Sequence, residues 1–232
     1  MSARRGLIVV ALAIGCRESH AAHAVSSAQA EVFCVDSIEK RALACSGGAA
    51  RRVGDTLFVR LDNGREKSYV EDNTSEAPGG YQYEGRIRQP ISMHIVESNG
   101  HETAPEYIFL NPRTGREVVA ADRPVFSPDS TRFATASDSW DNCVELDHPR
   151  LEVWRLTDSV PVSEWQLDPW NCKTKSGWGP TAPQWRGPDT LAFIRNDMTI
   201  HSILGSNEPS VEYRNRPMLA VRTGTAWRVV TP

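Results

Sequence analysis

From residue 32 onward, short apolar runs alternate with turn residues and show little helical periodicity. Leu57–Leu61 is one such run. It leads into Asp62-Asn63-Gly64, whose Asn-Gly pair is a strong hairpin signal, with the return strand expected over Arg65–Val70. Asn73–Gly80 reads as a loop. Ile91–Val96 alternates as a strand does, and Ser98-Asn99-Gly100 is expected to turn it. Tyr107–Leu110 is a further strand, closed by Asn111–Gly115, with Arg116–Ala120 returning. Ser37–Ala44 is the one tempting helix, short and set between two cysteines. The pattern predicts an all-β domain.

The N-terminus is patterned differently. Arg4 and Arg5 precede ten uninterrupted apolar or glycine residues, Gly6–Gly15. A permanent membrane span needs about twenty, so the run matches the h-region of a secretory signal. Ala13-Ile14-Gly15-Cys16 then resembles the lipobox of bacterial lipoproteins, which implies lipidation at Cys16 and a periplasmic, membrane-anchored protein. Cleavage after Ala22-His23-Ala24 or Ala28-Gln29-Ala30 is the alternative, and it gives a soluble periplasmic or secreted chain. The resulting organisation is a signal peptide over 1–15, a flexible tether over 16–31 and a β-rich domain over 32–232.

Composition narrows the partners. The chain has 232 residues with a formal charge of −3, and loss of Arg4 and Arg5 with the signal takes this to −5. No basic field exists to hold nucleic acid. A mean hydropathy of −0.42 excludes a polytopic membrane protein. Cys16 aside, Cys34, Cys45, Cys143 and Cys172 form an even set, which in an exported chain favours disulfides. Three connectivities are open, and short loops favour Cys34–Cys45 and Cys143–Cys172. Spacings of 11 and 29 do not suit zinc.

Val125–Ser130, followed by Arg132–Ser137, resembles the start of a β-propeller blade, where a Phe-Ser-Pro-Asp turn joins the two inner strands. Leu151–Leu156 resembles the later strand that carries a Val-Trp pair. A second copy appears at Ala182–Thr190 before Leu191–Arg195. Phe126 and Trp185 are 59 residues apart, wider than an ordinary repeat, so the repeat is degenerate with insertions. Leu57–Phe193 is also similar to a loose class of bacterial exported proteins with WD40-like repeats. That resemblance implies architecture and no activity: a degenerate or incomplete propeller-like stack of antiparallel sheets.

Candidate chemistry is sparse. Gly-x-Ser-x-Gly, the Gly-rich phosphate loops and His-Glu-x-x-His are all absent from the sequence. Asp138, Asp141 and Asp147, with Glu145, could gather around a calcium ion, but their spacing is not that of an EF-hand. A solvated loop is the simpler reading, and no cofactor is expected. Six of the seven tryptophans lie between Trp140 and Trp185. Trp154, Trp165 and Trp185 are expected in strands, packed between sheets. Trp140, Trp170 and Trp178 sit in polar or Gly/Pro segments and are the candidate binding loop. The expected function is a non-enzymatic exported envelope protein whose loops engage another envelope protein. A carbohydrate- or metal-dependent enzyme and a glycan- or small-ligand-binding module are the alternatives.

Overall fold

Local turn chemistry sets the strands, and buried alternate residues set their faces. A computed structural model describes residues 33–36, 38–72, 79–88, 91–99, 105–138, 148–171, 173–174, 177–201 and 210–232, with side chains omitted at 33–34, 198–201 and 210–213. Cys16, the tether, Trp140, Asp141, Cys143, Asp147 and Cys172 lie outside the described residues.

Among the described residues the fold is all-β apart from one short helix, with four antiparallel sheets that, β1 apart, follow one another along the chain. The first holds β2 (Ala50–Val53), β3 (Thr56–Arg60) and β4 (Glu66–Val70). Gly64 turns β3 into β4 at φ 81°, which only glycine adopts freely, and the Arg65 N–H donates to Asn63 Oδ1 at 2.9 Å. The second sheet has the order β1-β5-β6-β7-β8. Its strands are β1 (Phe33–Val35), β5 (Gly80–Ile87), β6 (Met93–Asn99), β7 (Glu106–Leu110) and β8 (Glu117–Ala121).

The third sheet runs β12-β11-β10-β9, built from β9 (Val125–Phe126), β10 (Arg132–Ser137), β11 (Arg150–Arg155) and β12 (Val162–Leu167). The fourth is β13 (Trp178–Gly187), β14 (Thr190–His201), β15 (Ser210–Thr223) and β16 (Ala226–Val230), paired in that order.

Helix α1 (Glu39–Cys45) buries Ala42 against β5 and ends where Ser46 Oγ donates to Leu43 O at 2.7 Å. Cys45 is disulfide-bonded. The guanidinium of Arg52 fastens this corner: it makes a bidentate pair with Glu39 at 2.8 and 2.7 Å and also reaches Glu71 and the Tyr81 carbonyl. Helix, first sheet and second sheet are thereby held through one cation.

Among the described residues, three cores join consecutive sheets. Leu57, Val59 and Tyr69 of the first sheet meet Tyr83, Val96 and Leu110 of the second. Ile87, Met93, Ile95 and Phe109 on its other face meet Phe133 and Leu156. Ala134, Leu151 and Val153 then meet Leu191, Phe193, Ala220 and Trp227. Both faces of the second and third sheets are therefore covered, which explains β10, where all six residues are buried.

Two expectations need correction. Ser98 and Asn99 do not turn; they extend β6 by pairing with Tyr81 and Gly80. Gly80, expected in a loop, is for the same reason the first residue of β5. The two blade-like segments fall in consecutive sheets. Phe126 lies in the first strand of the third sheet opposite Phe133, and Trp185 in the first strand of the fourth opposite Leu191. Pro128-Asp129 follows one and Pro188-Asp189 the other. The two strands also touch, because Trp185 Nε1 donates to Val125 O at 2.8 Å. Ser130, standing where such turns usually have glycine, adopts φ 56°.

Candidate functional site

An open cleft of about 530 Å³ lies where the third sheet hands the chain to the fourth. His148, Asp168, Pro169, Trp170, Asn171 and Lys173 line it. Register builds the site. Leu151 pairs with Leu167, so the residues just before β11 and just after β12 emerge at one end of the hairpin. His148 Nε2 consequently stands 3.4 Å from Asp168 Oδ1. Gln166 holds the same carboxylate, its Nε2 donating to the two oxygens at 2.9 and 3.0 Å. Asn171 Oδ1 accepts the N–H groups of Lys173 and Thr174 at 3.0 and 3.2 Å, a side-chain turn that folds the chain back toward β13.

Gly177 closes this loop. A Cβ there would fall 2.2 Å from the Pro169 carbonyl oxygen and 2.9 Å from Trp170 Cα, and φ is +146°. Only a bare backbone can approach so closely. Gly177→Ala is therefore expected to push Trp170 out of position, at a cost of about 1–3 kcal/mol. Limited proteolysis should show new nicks between Asp168 and Gly177. An unchanged digestion pattern together with an unchanged urea midpoint would contradict the close packing.

The sequence candidates divide into separate groups. Trp170 is half-buried at the cleft. Trp178 is not in a loop: it opens β13, where it stacks on Phe193 at 6.0 Å and 12°, with the Arg195 guanidinium 5.0 Å from its ring centre. Packing of this kind makes it a support of the third core. Trp154 stacks on Phe133 against the core of the second and third sheets, while Trp165 and Trp185 both meet Trp227 against the core of the third and fourth, so these three pack between sheets. Asp138 is exposed at the end of β10, and the Ser137–Arg150 pairing puts it at the same end of the sheet as His148. Among the described residues, no three His, Cys, Asp or Glu side chains gather to hold a metal.

Sequence reasoning missed His148 and Asp168 as a pair. They are 20 positions apart, and only the β11–β12 register brings them together. A separate polar cluster lies in the second sheet. Glu84, only 1% exposed, pairs with Arg123 and accepts from Gln82 Nε2 at 2.7 Å, while Tyr107 Oη donates to Glu97 at 3.1 Å. Burial raises the Glu84 carboxyl above its ordinary value, against the pull of Arg123.

The Arg52 and Glu84 groups are internally paired. The cleft instead leaves Lys173 and Asn171 exposed beside a half-buried indole. No protein-family model, curated protein or solved structure matches the chain.

Proposed function

We propose that this chain is a non-enzymatic exported envelope protein, anchored in the bacterial periplasm through Cys16, that offers the His148–Lys173 cleft to another envelope protein. Its four sheets are read as an incomplete propeller, each packed on the next without a described core between first and last. The cleft carries the proposal. It is shallow and open, and it sets one indole among groups of both charges. That is the anatomy of a protein-binding anchor, a tryptophan supplying area within a polar rim. The third and fourth sheets, packed through the second and third cores, hold its walls, which limits what binding must order.

Capture of a tagged full chain from solubilised envelope membranes tests this reading. Trp170→Ala should lower recovery of the partner about tenfold or more while leaving the melting temperature nearly unchanged. Cys16→Ser should move the protein into the soluble fraction, because the ten-residue apolar segment, once cleaved, cannot hold the chain unaided. Equal capture by Trp170→Ala would defeat the cleft assignment. Unaltered fractionation of Cys16→Ser would defeat the lipid anchor. A glycan ligand is the second reading, favoured by the indole of Trp170 beside the carboxylate of Asp168 and the amide of Asn171. Competition of capture by soluble peptidoglycan fragments would select it.

A further inference from the structure

The fourth sheet carries an edge that its own strands do not use. β14 accompanies β15 from Ser210 to Val221, whereas β16 pairs only with Leu219–Thr223. Residues 210–218 of β15 therefore have no outer neighbour among the described strands.

One hydrogen bond fixes which backbone groups face that edge. The Arg222 N–H donates to Asp189 O at 2.9 Å, on the β14 side. Alternation then turns the N–H and C=O of Val221 and Leu219 toward β16, and the C=O of Pro217 with the N–H and C=O of Asn215, Tyr213 and Val211 toward the open edge. The β14–β15 ladder contains no register shift that would interrupt this count. Pro217 sits at an outward position, where its missing N–H costs no ladder bond. Asn215, Tyr213 and Val211 direct full donor and acceptor pairs outward. Such an edge is a template for another strand.

We propose that this edge pairs antiparallel with the same edge of a second copy of the chain, about a two-fold axis at Tyr213. Charge selects the occupant. Glu212 and Arg214 flank Tyr213, so reversing the strand about Tyr213 sets each Glu212 opposite the other copy's Arg214. Those two positions are non-hydrogen-bonded ones, where opposed side chains approach most closely. Tyr213 exchanges backbone bonds with its own counterpart, and Val211 exchanges them with the other copy's Asn215. Pro217 ends the seam because it has no N–H to give. The contact is isologous and closed, so it yields a dimer and not a fibre. It is independent of the cleft, which lies at the third sheet.

Sedimentation velocity on the full chain over a concentration series is the test. The unmodified protein should pass from monomer to dimer. Glu212→Arg and Arg214→Glu should each weaken the dimer about tenfold, because each places like charges opposite one another twice per seam. An equimolar mixture of the two variants should recover dimer, since the reversed charges then face each other. Tyr213→Pro removes an outward N–H without touching a β14 bond. It should leave the circular dichroism unchanged and the chain monomeric. A wild type that stays monomeric throughout, single variants that dimerise as tightly as wild type, failure to recover on mixing, or a dimer that survives Tyr213→Pro would each overturn the proposal.

Discussion

Phe133→Ala is expected to lower the unfolding free energy by about 3–5 kcal/mol, the range for emptying a large buried aromatic site. Phe133 is fully buried in β10 and stacks with two rings. Phe109, from β7 in the second sheet, stacks on it at 4.4 Å and 14°. Trp154, from β11 in its own sheet, stacks at 6.0 Å and 7°, and Phe126 adds a tilted contact at 5.8 Å. Removing the ring leaves Phe109 without its partner across the sheet interface, so the loss includes aromatic pairing as well as area. A domain with about 5–15 kcal/mol of total stability keeps little after such a change. Val162→Ala is the control: Val162 is 45% exposed on β12 and its truncation should stay within about 0.5 kcal/mol. Urea unfolding of both variants decides it. A Phe133→Ala shift under about 1 kcal/mol would mean that the second and third sheets are not coupled through this stack.

The elements that sequence reasoning located are those set by local chemistry. Asn63-Gly64 makes its turn because glycine accepts φ 81°. Asn111 does the same work at the next hairpin, its Oδ1 accepting the N–H groups of Arg113 and Thr114 at 2.9 and 3.1 Å. Ser127-Pro128-Asp129 closes through Ser127 Oγ donating to Asp129 at 2.7 Å. All of these partners lie within a few residues, where a motif can encode them. β5 escaped because a register shift between Tyr83 and Gly85 breaks its alternation and buries consecutive residues. Its Glu84 looks like a surface residue until Arg123, from beyond β8, arrives to pair with it.

β15 escaped for the opposite reason. Its exposed Arg214, Asn215, Arg216 and Pro217 have the composition of a loop, yet they stand in register with Asp197, Asn196, Arg195 and Ile194. The cleft was legible only in part. Trp170 stood out as an aromatic in a polar segment, but its neighbours His148 and Asp168 meet through a strand register that no local motif announces.

Acid should destabilise the domain through one buried imidazole. His94 is fully buried on β6, its Nδ1 2.8 Å from Tyr83 Oη, and its Nε2 has no hydrogen-bond partner among the described residues. Burial, helped by the nearby charge of Arg86, depresses its pKa to about 3. In the unfolded chain the same group takes a proton near pH 6.5. Between those values the unfolded state binds more protons, so stability rises with pH there. The contribution is whole above pH 6.5 and drains away as the pH falls toward 3, by about 1.4 kcal/mol per unit. Moving from pH 7.5 to pH 5 should therefore cost about 2 kcal/mol through His94 alone. Burial raises the carboxyls of Glu84 and Asp122, which works in the opposite direction: their share is lost as the pH rises. A comparison between variants removes them. His94→Gln keeps a polar group near Tyr83 but has no proton to take, so its unfolding midpoint in urea should vary less between pH 7.5 and pH 5 than that of the unmodified protein. Equal pH slopes for the two proteins would show that His94 already carries its proton, or reaches water, in the folded state.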